Sequence, residues 1–250
     1  SVIDRTGRVT ATVRVGSAPL ALAVDTATGT VIVANSGSND VTLLDGISGG
    51  TARVPAGHEP TAVAVNPATG RAYVANRSSG TVTVIEEATR RTRTVRTGGV
   101  PRAVAVNPVT GRAYVANWAD GTVSVIEGAS PRATRIDVGS APRALAVDSV
   151  ADRVYVADFG NHNVSVIDGV TNRVTTVPAG TNPVAVVVNP VSNMAYVANS
   201  VSGDVTVIAG ETRVGNIPAG VQPSALAVDP VTDTVYVADL AKNRVTVLAG

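Results

Sequence analysis

The chain has 250 residues, 44% hydrophobic and 16% charged, with 24 Gly, 14 Pro and no Cys. That composition excludes a disordered charged chain and a disulfide- or thiolate-built domain. With 20 basic against 19 acidic side chains the chain also lacks the electrostatic footprint of a nucleic-acid binder.

In chain order, Val2–Asp4 and Arg8–Val15 read as two short strands, the second resembling the last strand of each repeat that follows. A Gly-x-x-Pro step then recurs at Gly16–Pro19, Gly57–Pro60, Gly98–Pro101, Gly139–Pro142, Gly180–Pro183 and Gly220–Pro223, the prolines lying 41, 41, 41, 41 and 40 residues apart. After each proline comes an Ala/Val/Leu run such as Ala62–Val65, then a turn such as Asn66–Gly70. A strand of the type Tyr73–Asn76 follows, and a polar loop leads to Val82–Ile85. A more polar fourth strand, Arg173–Val177 in one copy, returns to the next Gly-x-x-Pro. No segment carries a helical apolar stripe, and valine makes up roughly a fifth of the chain, so the elements are strands.

Four short strands at a period near 41 match one blade of a β-propeller. The expected architecture is all-β: a single six-bladed domain over residues 1–250, four antiparallel strands per blade. Blades start near 17, 58, 99, 140, 181 and 221. Residues 1–16 are expected to supply the outer strand of the last blade and so close the ring. The longest apolar runs, such as Val184–Val188, are too short to span a bilayer, and no leader-like segment is read at the start.

The segments Tyr73-Val74-Ala75-Asn76, Tyr114-Val115-Ala116-Asn117 and Tyr196-Val197-Ala198-Asn199, with the Gly-Thr-Val-Thr-Val-Ile pattern that follows, resemble the YVTN-repeat β-propeller family. The first copy lacks the Tyr, and the fourth and sixth carry Asp158 and Asp239 for Asn. The resemblance covers nearly the whole chain, implies the propeller fold and is compatible with a secreted or cell-surface location. A more distant similarity reaches virginiamycin B lyase-like propellers, in which a rim histidine works with a metal. Lactonase-like propellers centre on calcium; here only Glu59, Asn182 and Gln222 occupy comparable pre-proline positions, and nearby arginines oppose a cation.

Asn or Asp at 25, 66, 107, 148, 189 and 229 starts a turn, and Asn or Asp at 35, 76, 117, 158, 199 and 239 is expected to tie down the loop after the second strand. A divalent cation held by such oxygens on the channel axis is the weaker alternative. Departures from the repeat are more telling. The turns of one rim are monotonous, whereas the other rim gathers both histidines, the single Trp and the single Phe on blades two to four. Arg77, Arg102 and Arg143 lie there as anchors for a carboxylate, phosphate or enolate. Trp118 and Phe159 offer faces for a planar or apolar moiety. His58, Glu59 and His162 are the candidate proton-transfer groups.

This pattern suits a small-molecule site, of lyase, isomerase, cyclase or hydrolase type, acting on a small anionic substrate. No organic cofactor or metal ligand set is expected, because neither a phosphate-cradling loop nor zinc spacing is present. The alternative is a non-catalytic scaffold that binds a protein or glycan through the same residues. A monomer is expected.

Overall fold

The computed structural model describes residues 1–128 and 130–249, and every element in it is a β-strand. Among the described residues no helix is long and apolar enough to cross a membrane. The chain opens with a hairpin of β1 (Val2–Ile3) and β2 (Val9–Ala11). Six antiparallel sheets follow, each meandering in chain order. Their first strands are β3 (Pro19–Val24), β7 (Pro60–Asn66), β11 (Pro101–Val106), β15 (Pro142–Asp148), β19 (Pro183–Asn189) and β23 (Pro223–Asp229). Each of these lies beside the next, from β3 to β23, so the sheets are arranged radially as the blades of a propeller.

The core is divided among the five junctions between successive blades. At one of them Tyr155, Val164 and Val166 of the fourth blade pack on Ala195, Val197 and Ile208 of the fifth. Tyr73, Tyr114 and Tyr196 serve the same purpose at three others. In the first five blades the second and third strands are the most deeply buried. First strands such as β11 are mostly half-buried, since one edge faces the middle of the ring.

The structure corrects the expected ring closure. β2 pairs with β1, and the last blade has only three strands: β23, β24 (Thr234–Asp239) and β25 (Arg244–Ala249). Ile3 pairs with Val9 and, across a bulge, Val2 with Ala11, where the fourth blade pairs Ile167 with Val174 and Val166 with Thr175, so the hairpin is a separate two-stranded sheet built on local contacts. Asp4 secures it by accepting hydrogen bonds from the backbone N–H of Thr6 at 2.9 Å and of Arg8 at 3.0 Å. Closing so short a loop costs far less chain entropy than pairing across the whole ring. In consequence, among the described residues no apolar cluster joins the last blade to the first. Tyr236 is 41% exposed where Tyr73, Tyr114 and Tyr155 are at most 1% exposed, and Leu22 is 65% exposed on the first blade.

Candidate functional site

The rim that carries the unusual residues is held by a polar skeleton repeated from blade to blade. Asn76 is fully buried and donates from Nδ2 to Thr81 Oγ1 at 3.1 Å and to Thr83 Oγ1 at 2.9 Å. Asn117 does the same to Thr122 and Ser124, and Asn199 to Asp204 and Thr206. The residue that follows each of these asparagines, or Asp158 in the fourth blade, is tied back to the pre-proline carbonyl of its own blade. Trp118 N–H donates to Val100 O at 3.0 Å, and Phe159 N–H to Ala141 O at 3.2 Å. Asn66, Asn107, Asp148 and their counterparts accept from backbone N–H groups two residues on, as at Val109 at 2.9 Å, so this second set shapes turns at the opposite rim.

A backbone irregularity aims the arginines. In every blade the pairing of first and second strands slips between the proline and the residue two beyond it, for example between Pro101 and Ala103 and between Pro142 and Ala144. Proline has no N–H for the ladder, and such a bulge turns the side chain of the extra residue. The residue before the proline adds to the bend with positive φ, 56° at Val100 and 53° at Ala141. The bulged residue is Leu20, Thr61, Val184 or Ser224 in four blades, and Arg102 or Arg143 in the other two.

Four side chains therefore meet. The Arg102 guanidinium carbon lies 4.8 Å from the Trp118 ring centre, and that of Arg143 lies 5.4 Å from the Phe159 ring centre. The two rings are 5.4 Å apart and tilted by 40°, which links the blades. All four residues are half-buried. Burial lowers the Arg102 pKa, and the charges of Arg143 and Arg77 lower it further. Arg53, Arg71, Arg112 and Arg173 each have a carboxylate partner. Among the described residues, neither Arg102 nor Arg143 has an ion pair, and neither side chain donates a hydrogen bond.

Beside this cluster an open cleft of about 620 Å³ is lined by Glu59, Arg77, Ser78, Ser79, Gly80, Gly99 and Val100. Arg77 and Glu59 face each other there at 3.9 Å, and Ser78 donates to Glu59 at a short distance. Both charged residues are exposed. His58 is exposed too; its N–H donates to Ser79 Oγ at 2.7 Å, and among the described residues its imidazole makes no hydrogen bond. His162 is also exposed and accepts from the backbone N–H of Asn182 through Nδ1 at 3.2 Å, at the junction of the fourth and fifth blades. The structure thus brings Arg102, Trp118, Phe159 and Arg143 into contact and pairs Glu59 with Arg77. It does not join either histidine to those contacts. Sequence reasoning missed Ser78 and Ser79 in the cleft and the bulge itself, although the proline opening each first strand was its visible signal.

The NHL repeat family matches over residues 140–167. No curated protein matches the chain. Among solved structures, streptogramin B lyase is similar at 12% identity, with 94% of this chain and 84% of that one covered and a TM-score of 0.73. Hydrazine synthase of Kuenenia stuttgartiensis is 18% identical over 98% of this chain and 99% of that one, TM-score 0.57. A chain of the nidogen/laminin complex is 16% identical over 81% and 80%, TM-score 0.60. Together with the match of one repeat, these likenesses establish a repeat-built β-propeller. They establish the fold alone, since one propeller hosts many chemistries.

Proposed function

We propose that the rim of blades two to four binds a small planar anion, with Arg102 and Arg143 as its anchors and Trp118 and Phe159 as its aromatic walls. The observation that supports this reading is the state of the two guanidiniums. Each is half-buried on a ring face and has no acceptor among the described residues, and Arg102 feels the like charges of Arg143 and Arg77. A guanidinium stacked on a ring gains about 0.5–2 kcal/mol from the contact, and the stack leaves its N–H edge to bind two carboxylate or phosphate oxygens. An incoming anion would relieve the repulsion among Arg77, Arg102 and Arg143 and complete their hydrogen bonding. An aromatic or enolic carboxylate satisfies both parts of the site.

The chain contains one Trp, so its emission reports on this rim alone. Benzoate is expected to change that emission saturably, and benzyl alcohol, of similar shape without the charge, is not. Arg102→Ala and Arg143→Ala should each weaken the benzoate effect about tenfold, the loss of one charge-assisted contact. Equal responses to the two probes, or undiminished affinity in both variants, overturns the reading. Turnover of lyase, isomerase, cyclase or hydrolase type is the further step of the same proposal. His58, whose imidazole has no partner among the described residues, is its proton-transfer group, with Glu59 beside it. His58→Ala should then abolish turnover and leave benzoate affinity intact. A benzoate-insensitive rim that captures a protein or glycan supports the scaffold alternative.

A further inference from the structure

At the rim opposite this site, three successive junctions share one arrangement. The arginine that opens the second strand of a blade reaches the glycine that follows the third strand of the next: Arg112 donates to Gly169 O, Arg153 lies beside Gly210, and Arg71 beside Gly128. The junction of the first and second blades breaks both halves of the pattern. Thr30 stands in the arginine position and Glu87 in the glycine position. A guanidinium has been lost there and a carboxylate gained.

Glu87 faces Asp25 and the hydroxyls of Thr28 and Thr30. Asp25 is fully buried, and its Oδ1 already accepts the N–H of Ala27 at 2.8 Å. Its Oδ2, together with Oε1 and Oε2 of Glu87, is buried and accepts no hydrogen bond among the described residues. In the third blade the position of Asp25 carries an amide that faces a single carboxylate, where Asn107 donates to Asp152 at 2.6 Å. Two buried carboxylates with three unpartnered oxygens are costly unless a positive charge joins them. Thr28 Oγ1 donates to Thr30 Oγ1 at 2.9 Å and accepts the Thr30 backbone N–H, while the Thr30 oxygen faces Glu87 and is available as a neutral ligand. A cleft of about 370 Å³ lined by Thr28, Thr30, Asp45, Ser48, Glu87 and Arg90 opens this place to solvent.

We propose that Asp25 and Glu87, assisted by Thr30, form a site for a hard divalent cation of the calcium class that clamps the first blade to the second. An all-oxygen set of carboxylates and hydroxyls, completed by water from the cleft, suits calcium, which accepts irregular geometry and several waters. The site lies on the far rim, so its outcome is independent of the anion site. A proton shared by the two carboxyls is the competing occupant.

The test uses chelator-treated protein at pH 8 and calcium chloride alone. Calcium should raise the melting temperature saturably in the wild type. Asp25→Asn, which carries the residue found at Asn66 and Asn107, and Glu87→Gly, which restores the residue of Gly128 and Gly169, should both keep the fold and lose at least tenfold in calcium affinity. No calcium effect on the wild type overturns the proposal. So does an equal effect in wild type and both variants, as does a wild type whose melting follows pH and ignores calcium.

Discussion

Replacing Asp158 by Asn should stabilise the protein, and only on the alkaline side. Asp158 is fully buried and accepts Ser165 Oγ at 2.7 Å, in the place where other blades carry Asn76, Asn117 and Asn199. Burial pushes its carboxyl from 3.8 up to about 7, against the opposing hydrogen bonds from Ser165 and the backbone of Gly139. The folded protein therefore keeps this proton up to about pH 7, whereas the unfolded chain releases it near pH 4. Between those values the folded state binds more protons, so stability falls as pH rises and the loss is complete above pH 7. At 1.36 kcal/mol per pKa unit the full effect is about 4 kcal/mol. The amide introduced by the substitution has no charge to bury, and its nitrogen can donate to Ser165 Oγ and to Asn163 Oδ1, which is buried without a partner among the described residues. Urea denaturation should show Asp158→Asn more stable than wild type by about 2–4 kcal/mol at about pH 8 and within about 1 kcal/mol at about pH 4. A difference that does not change with pH, or a variant that is weaker on the alkaline side, refutes the reasoning.

Asn76→Ala strands the Thr81 and Thr83 hydroxyls and should cost about 2–3 kcal/mol in urea denaturation, without altering the strand content seen by circular dichroism. Val164→Thr buries a hydroxyl in a full junction and should cost about 1–3 kcal/mol, whereas Val245→Thr at the matching but 60% exposed position should stay within about 0.5 kcal/mol. Equal costs for that pair would mean that the last blade is covered as the others are. Gly57→Ala would set a methyl 2.8 Å from the Asn76 side chain and should lower the melting temperature clearly, by displacing that asparagine from its two threonines.

The blades were legible because each repeat states its own boundaries. Pro60, Asn66, Asn76 and their equivalents mark the start, the first turn and the second loop, and the structure puts each to that use. Ring closure was not legible. Residues 8–15 carry the pattern of a fourth strand, but pattern does not choose between partners. The nearby Val2–Ile3, similar to Val166–Ile167, wins through the Asp4 turn. At the rim, the contacts of Arg102 with Trp118 and Arg143 with Phe159 follow from residues separated by the same interval in two successive blades, so the clustering could be read by aligning the repeats. The engagement of His162 with Asn182 could not, because it depends on how far a loop reaches toward the next blade. Nor could Glu87 be recognised as odd from its own surroundings in the sequence; its meaning appears only when Thr30, from another blade, is seen opposite it.

The most direct test of the rim as an anion site is a crystal structure of the protein with benzoate, obtained at concentrations set by the emission titration. The carboxylate should lie within about 3.2 Å of a guanidinium nitrogen of Arg102 or Arg143, with the benzene ring against Trp118 or Phe159. Density for benzoate elsewhere on the molecule, with both guanidiniums still without an acceptor, would contradict it.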